Sequence, residues 1–86
     1  KGGIVSVSLL EGAQAEALEI IVADGSEVEG KALRNIKLPQ ECLICAIVHN
    51  NEAIIPNGDT VLHADDRIIL FVKSELVKTT VPMFES

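Results

Sequence analysis

Aromatic side chains are almost missing from this chain. It has two phenylalanines, no tyrosine and no tryptophan in 86 residues. Val, Ile, Leu and Ala must therefore fill whatever core it has. Basic residues are also scarce, seven Lys and Arg against thirteen Asp and Glu, for a formal net charge of −6. The few cations are scattered, so neither nucleic acid nor anionic lipid is an expected partner. No stretch of 18 apolar residues occurs, which argues against a transmembrane helix and direct membrane insertion. No secretory signal pattern is visible either.

Cysteine is limited to Cys42 and Cys45. A single CxxC with no second pair and no neighbouring ligand histidine makes a poor zinc site. The surrounding QECLICAIV reads as a strand entering a core, so both cysteines are expected to be small buried hydrophobes. Redox chemistry and metal binding are the alternatives. No metal site is expected.

What the chain does have is apolar residues, 48% of the total. A chain of this length forms one domain with a modest interior. That surplus is expected to meet another chain or another domain, and a homodimer is expected. The sequence opens Lys1-Gly2-Gly3 without Met, and we expect residues 1–86 to be a single domain excised from a longer protein.

Ile4 to Leu9 alternates with period two, placing Val5, Val7 and Leu9 on one face of a strand. Ala17 to Val22 follows, with Leu18, Ile20 and Val22 on one face. Helix competes here, but the β-branched Ile20-Ile21-Val22 run favours strand. Asp24-Gly25-Ser26 marks a turn. Gly30 to Ile36 reads as a short helix ended by Pro39. Leu43 to Val48 and Ala53 to Ile55 form strands around an Asn50-Asn51 tip, since Asn tolerates left-handed conformations. Asn57-Gly58 is a turn, Val61-Leu62 a short extended piece and Asp65-Asp66 a further turn. Ile68 to Val72 is the last strand. A final helix starts near Ser74, and Pro82 stops or kinks it near Thr80. Strands grouped by short loops imply an α+β fold: a small, mostly antiparallel sheet with one short helix after the second strand and one C-terminal helix.

Chemistry is sparse. The two histidines, His49 and His63, sit in no nucleophile or metal motif, and no phosphate-binding glycine loop occurs. Asp59, Asp65 and Asp66 lack calcium-loop spacing and read as turn residues. His49 ends a strand beside a polar turn, where an imidazole donates hydrogen bonds or becomes cationic. His63 is expected to be exposed. No catalytic constellation emerges, so an enzyme is disfavoured.

The order of short motifs is more telling. Gly30-Lys31-x-Leu33-Arg34-x-Ile36-x-Leu38-Pro39 is followed by Leu43-x-x-Ala46-Ile47-Val48. Then come Ile54-Ile55-Pro56-x-Gly58-Asp59-Thr60-Val61-Leu62 and Asp66-x-Ile68. This set resembles the TrkA-C domain, the C-terminal half of the RCK (regulator of potassium conductance) module, in Trk-type potassium-uptake regulatory subunits. The resemblance runs from about Val5 to Val72 and extends into the tail.

The resemblance implies a cytoplasmic, dimeric, ligand-sensing regulatory domain, held at the inner membrane through a potassium transporter or channel subunit. NAD or ATP would bind a separate N-terminal Rossmann domain, and no cofactor is expected in this one. In some members cyclic di-AMP binds at the dimer interface. The matching positions here are Leu43, Val48, His49, Ala53, Ile54, Ile55 and Pro56. Two positions depart from the pattern. His49 stands where Arg is common, replacing a charged fork by an imidazole, and Asp65 stands where Gly is common. A purely structural dimerisation module, or a regulatory domain fused to another cation or solute transporter, is the alternative reading.

Overall fold

Five segments of alternating or β-branched sequence become strands: β1 (Gly3–Leu10), β2 (Ala15–Ile21), β3 (Cys42–His49), β4 (Glu52–Ile54) and β5 (Arg67–Lys73). In the computed structural model, which describes residues 2–86, they form one sheet in the order β1-β2-β5-β3-β4. Lys1 lies outside the described residues. Every pairing is antiparallel. The last strand in the chain is therefore the middle strand of the sheet.

Register decides which side chains meet. Leu18, Leu70 and Ile44 line up across β2, β5 and β3, and so do Ile20, Ile68 and Ile47. All six are buried. These rows form the inner face. Residues 22–38, residues 55–66 and the C-terminal segment lie over it, supplying Val22, Val28, Ile36, Leu62, Val81 and Phe84 to the same core. The two covering loops are tied together by backbone bonds. Gly30 N–H donates to Leu62 O, Leu62 N–H to Lys31 O, and Leu33 N–H to Thr60 O. The exposed Arg34–Asp59 ion pair closes the same seam.

The helices are shorter than the sequence suggests. The piece expected over Gly30–Ile36 is one 3-10 turn, Leu33–Asn35, entered from an extended Ala32 with no side-chain cap. Its first residues are used instead for pairing with the 58–62 segment, including an Ala32–Val61 bridge. After β5 the chain makes a 3-10 turn at Ser74–Leu76, then α1 (Val77–Thr80), then a second 3-10 turn at Val81–Phe84 that contains Pro82. Regular helix thus stops at Thr80, as the proline requires. The residue before the Ser74–Leu76 turn, Lys73, makes no side-chain capping bond.

Two sequence expectations need correction. Val5 does not share a face with Val7 and Leu9, because the β1–β2 register shifts between Ile4 and Ser6 and Val5 is the extra residue of a bulge. Nor are both cysteines core residues. Cys42 is half-buried and Cys45 is exposed. A second bulge, between Ile44 and Ala46, sets Cys45 outside the ladder.

The turns obey their residues. Asn50 and Asn51 have φ of 49° and 66°, and with His49 paired to Glu52 they make a two-residue hairpin of the primed type. Asp65 has φ of 73°, the conformation glycine adopts most freely.

Two measurements check this architecture. Phe84 is fully buried, and Phe84→Ala should lower the unfolding free energy in urea by about 3–5 kcal/mol. Asp65→Gly should stay within about 1 kcal/mol of the parent, whereas a β-branched Asp65→Val should cost about 1–2 kcal/mol. Equal effects of the two substitutions would mean that Asp65 is not held left-handed.

Candidate functional site: the open sheet face and the Asp66 corner

The covering layer reaches only one side of the sheet. On the other side Ala17, Phe71 and Leu43 form one cross-strand row, and Glu19, Ile69 and Ala46 the next. The third row is Ile21, Arg67 and Val48, with Ala53 beside Val48. Phe71 remains 40% exposed and Leu43 61% exposed. Two of the charges on this face pair with each other: Arg67 donates to Glu19 at 2.9 Å, and Ser6 also donates to Glu19 at 3.1 Å. What is left open is apolar and offers a contact surface. At its Leu43 end lies a shallow depression of about 410 Å³, lined by Glu41, Cys42, Leu43, Phe71 and Lys73.

The residues expected to form a ligand site divide among three places. Leu43, Val48 and Ala53 lie on the open face. His49 and Ile54 project to the opposite side, as their places two along from Ile47 and opposite Ile47 require. Ile55, 84% exposed, and the half-buried Pro56 lie beyond the end of β4. Sequence reasoning missed Phe71 and Lys73, which line the depression beside Leu43. The one available signal was that a phenylalanine, rare in this chain, sits out of phase with the buried Ile68-Leu70-Val72 series.

His49 takes part in a different constellation. Its Nδ1 lies 2.5 Å from Oδ1 of Asp66. Asp66 is 3% exposed, and its Oδ2 accepts a hydrogen bond from the His63 backbone N–H at 2.9 Å. The His63 ring faces the His49 ring, with centroids 4.9 Å apart, and its Nδ1 is 3.6 Å from Asp66 Oδ2. His63 is exposed, as expected. A buried carboxylate is costly unless its oxygens are bonded. Here His49 and the 63–66 turn bond it. Asp66 thereby pins the end of β3 to the turn that launches β5, and its own backbone O accepts from Val22 N–H at 2.8 Å.

Such an arrangement, a small antiparallel sheet with one covered face and one open apolar face, defines a small α+β domain. Residues 17–84 match the model of the TrkA-C domain, and the chain belongs to that family. It is 32% identical over 83 residues to the Trk system potassium uptake protein TrkA homolog 2 of Methanosarcina mazei, covering 96% of this chain and 18% of that protein. It is 40% identical over 76 residues to the TrkA homolog of Archaeoglobus fulgidus, covering 88% of this chain and 17% of that one. A solved structure described as an RCK domain with cda superposes with a TM-score of 0.71 at 32% identity, covering 80% of this chain and 97% of that one. The chain thus spans under a fifth of the length of these uptake proteins.

The two cysteines provide a chemical check on the geometry. Burial pushes the Cys42 thiol above its ordinary pKa, leaving less thiolate, while Cys45 is exposed. Iodoacetamide at mildly alkaline pH should therefore modify Cys45 well before Cys42. Equal rates by mass spectrometry would contradict the bulge at Cys45.

Proposed function

We propose that this chain is the C-terminal half of an RCK module and serves a potassium-uptake system as its dimerising, ligand-sensing regulatory domain. The observation that carries this reading is the TrkA-C match across residues 17–84. The open apolar face supports it, because Leu43, Phe71 and their row neighbours would be covered by a second copy. In this reading the protein is regulatory and not catalytic. It works in the cytoplasm, and NAD or ATP binds a preceding Rossmann domain. No helix among the described residues is long and apolar enough to cross a membrane. In this reading the domain meets the transporter peripherally. Its mechanism is a population shift: a ligand that favours one dimer arrangement biases the attached transport machinery.

For a dinucleotide ligand the available surface is Leu43, Val48 and Ala53 with Phe71, and the cation beside the depression is Lys73. In this reading His49, engaged with Asp66, leaves the role of the common arginine to Lys73. That engagement favours a second reading, a structural dimerisation module whose ligand sensing lies in the preceding domain.

Sedimentation equilibrium and calorimetry separate the two. The chain should be a dimer at high micromolar concentration, and Phe71→Asp should give a folded monomer. A monomeric parent would overturn the dimer assignment. Cyclic di-AMP should bind weakly at neutral pH. Lys73→Gln should reduce that binding roughly tenfold or more, through loss of a charge-assisted hydrogen bond. No heat at any concentration would favour the structural module. Deleting this segment from the full-length gene should impair growth at limiting potassium.

A further inference from the structure

His49, His63 and Asp66 place one ligand atom each within 4.8 Å of one another. We propose that this corner is a binding site for a first-row divalent cation of the zinc class, held by two imidazoles and one carboxylate.

The donor set is the argument. Two histidines and one carboxylate suit zinc, cobalt or nickel and do not suit magnesium or calcium, which prefer all-oxygen ligands. Three protein ligands leave one tetrahedral position for water. With bonds of about 2.0–2.1 Å, neighbouring tetrahedral ligands stand roughly 3.3 Å apart. Asp66 offers the ion its Oδ1, since its Oδ2 accepts from the His63 backbone N–H, and His63 Nδ1 stands 3.6 Å from that Oδ2. His49 Nδ1 and Asp66 Oδ1, at 2.5 Å, share a hydrogen bond and must part by about an ångström to admit the ion. The ring proton of His49 then moves to Nε2. There Asn50, whose amide lies 3.3 Å from Nε2, turns its oxygen to accept it.

The surroundings favour a cation. Asp66 is buried and fixed by the His63 backbone N–H, so one oxygen is oriented before any ion arrives. His63 is exposed and leaves an entry path. The chain carries net charge −6, which raises the local concentration of cations. Bound metal would clamp the β3–β4 hairpin to the turn before β5 and stabilise the fold by linkage.

The test is thermal unfolding of this chain with and without zinc, alongside cobalt spectroscopy. At a hundredfold excess over Kd the melting temperature should rise by roughly 15 °C. Cobalt should give visible tetrahedral bands without a near-ultraviolet thiolate band. His63→Ala, an exposed substitution, should abolish both effects and leave the metal-free melting temperature nearly unchanged. A Cys42→Ser/Cys45→Ser double variant should keep both. No shift in the parent protein at millimolar zinc would overturn the proposal. So would a shift that survives His63→Ala, or one lost in the cysteine variant.

Discussion

The two apolar rows across the inner face, Leu18–Leu70–Ile44 and Ile20–Ile68–Ile47, are the contact on which everything else in this molecule rests. Each fully buried side chain of this size contributes about 1.5–3 kcal/mol. The rows exist only when β5 lies between β2 and β3. Residues distant in sequence must meet before the core is gained, so the middle of the sheet is also its most non-local part. The covering segments depend on the rows in turn. Phe84 packs onto the same core, and its carbonyl accepts from Ala23 N–H at 2.8 Å.

A chain of 86 residues cannot cover both faces of a five-stranded sheet. The loops and short helical turns pack most of their apolar residues on one side, and Ile55 and Val61 stay exposed. The other side keeps Leu43, Phe71, Ile69 and Val48 without a cover from the chain itself. On β1, Val7 and Leu9 lie beyond the reach of the covering layer and stay 49% and 71% exposed. The high apolar content noted in the sequence therefore records two surfaces, one buried within the chain and one that the chain itself leaves exposed.

The Asp66 corner shows how one buried charge organises three elements. It holds β3 through His49, the 63–66 turn through His63 and, by its backbone, the end of β2 through Val22. A lone buried carboxylate would be strongly destabilising, and two bonded oxygens remove most of that cost. Register puts His49 on the covered side of β3, away from the open face and within reach of this carboxylate.

Local chemistry was legible in the sequence. Alternation marked the strands. Asn50-Asn51 and Asp65-Asp66 marked turns that need left-handed residues, and Pro82 marked the end of α1. These follow from steric rules acting over two to four residues. Motif order from Gly30 to Ile68 gave the family. What only the tertiary structure decided was strand order, the two bulges and the direction of side chains near strand ends. A bulge shifts facing by one residue, and period-two reasoning has no means to detect it. Cys45 left the core for that reason. Leu43 and Phe71 became neighbours because β5 was placed beside β3. His49, His63 and Asp66 met because the β3 terminus and the 63–66 turn close on the same corner, a coincidence of register between segments that are far apart in the chain.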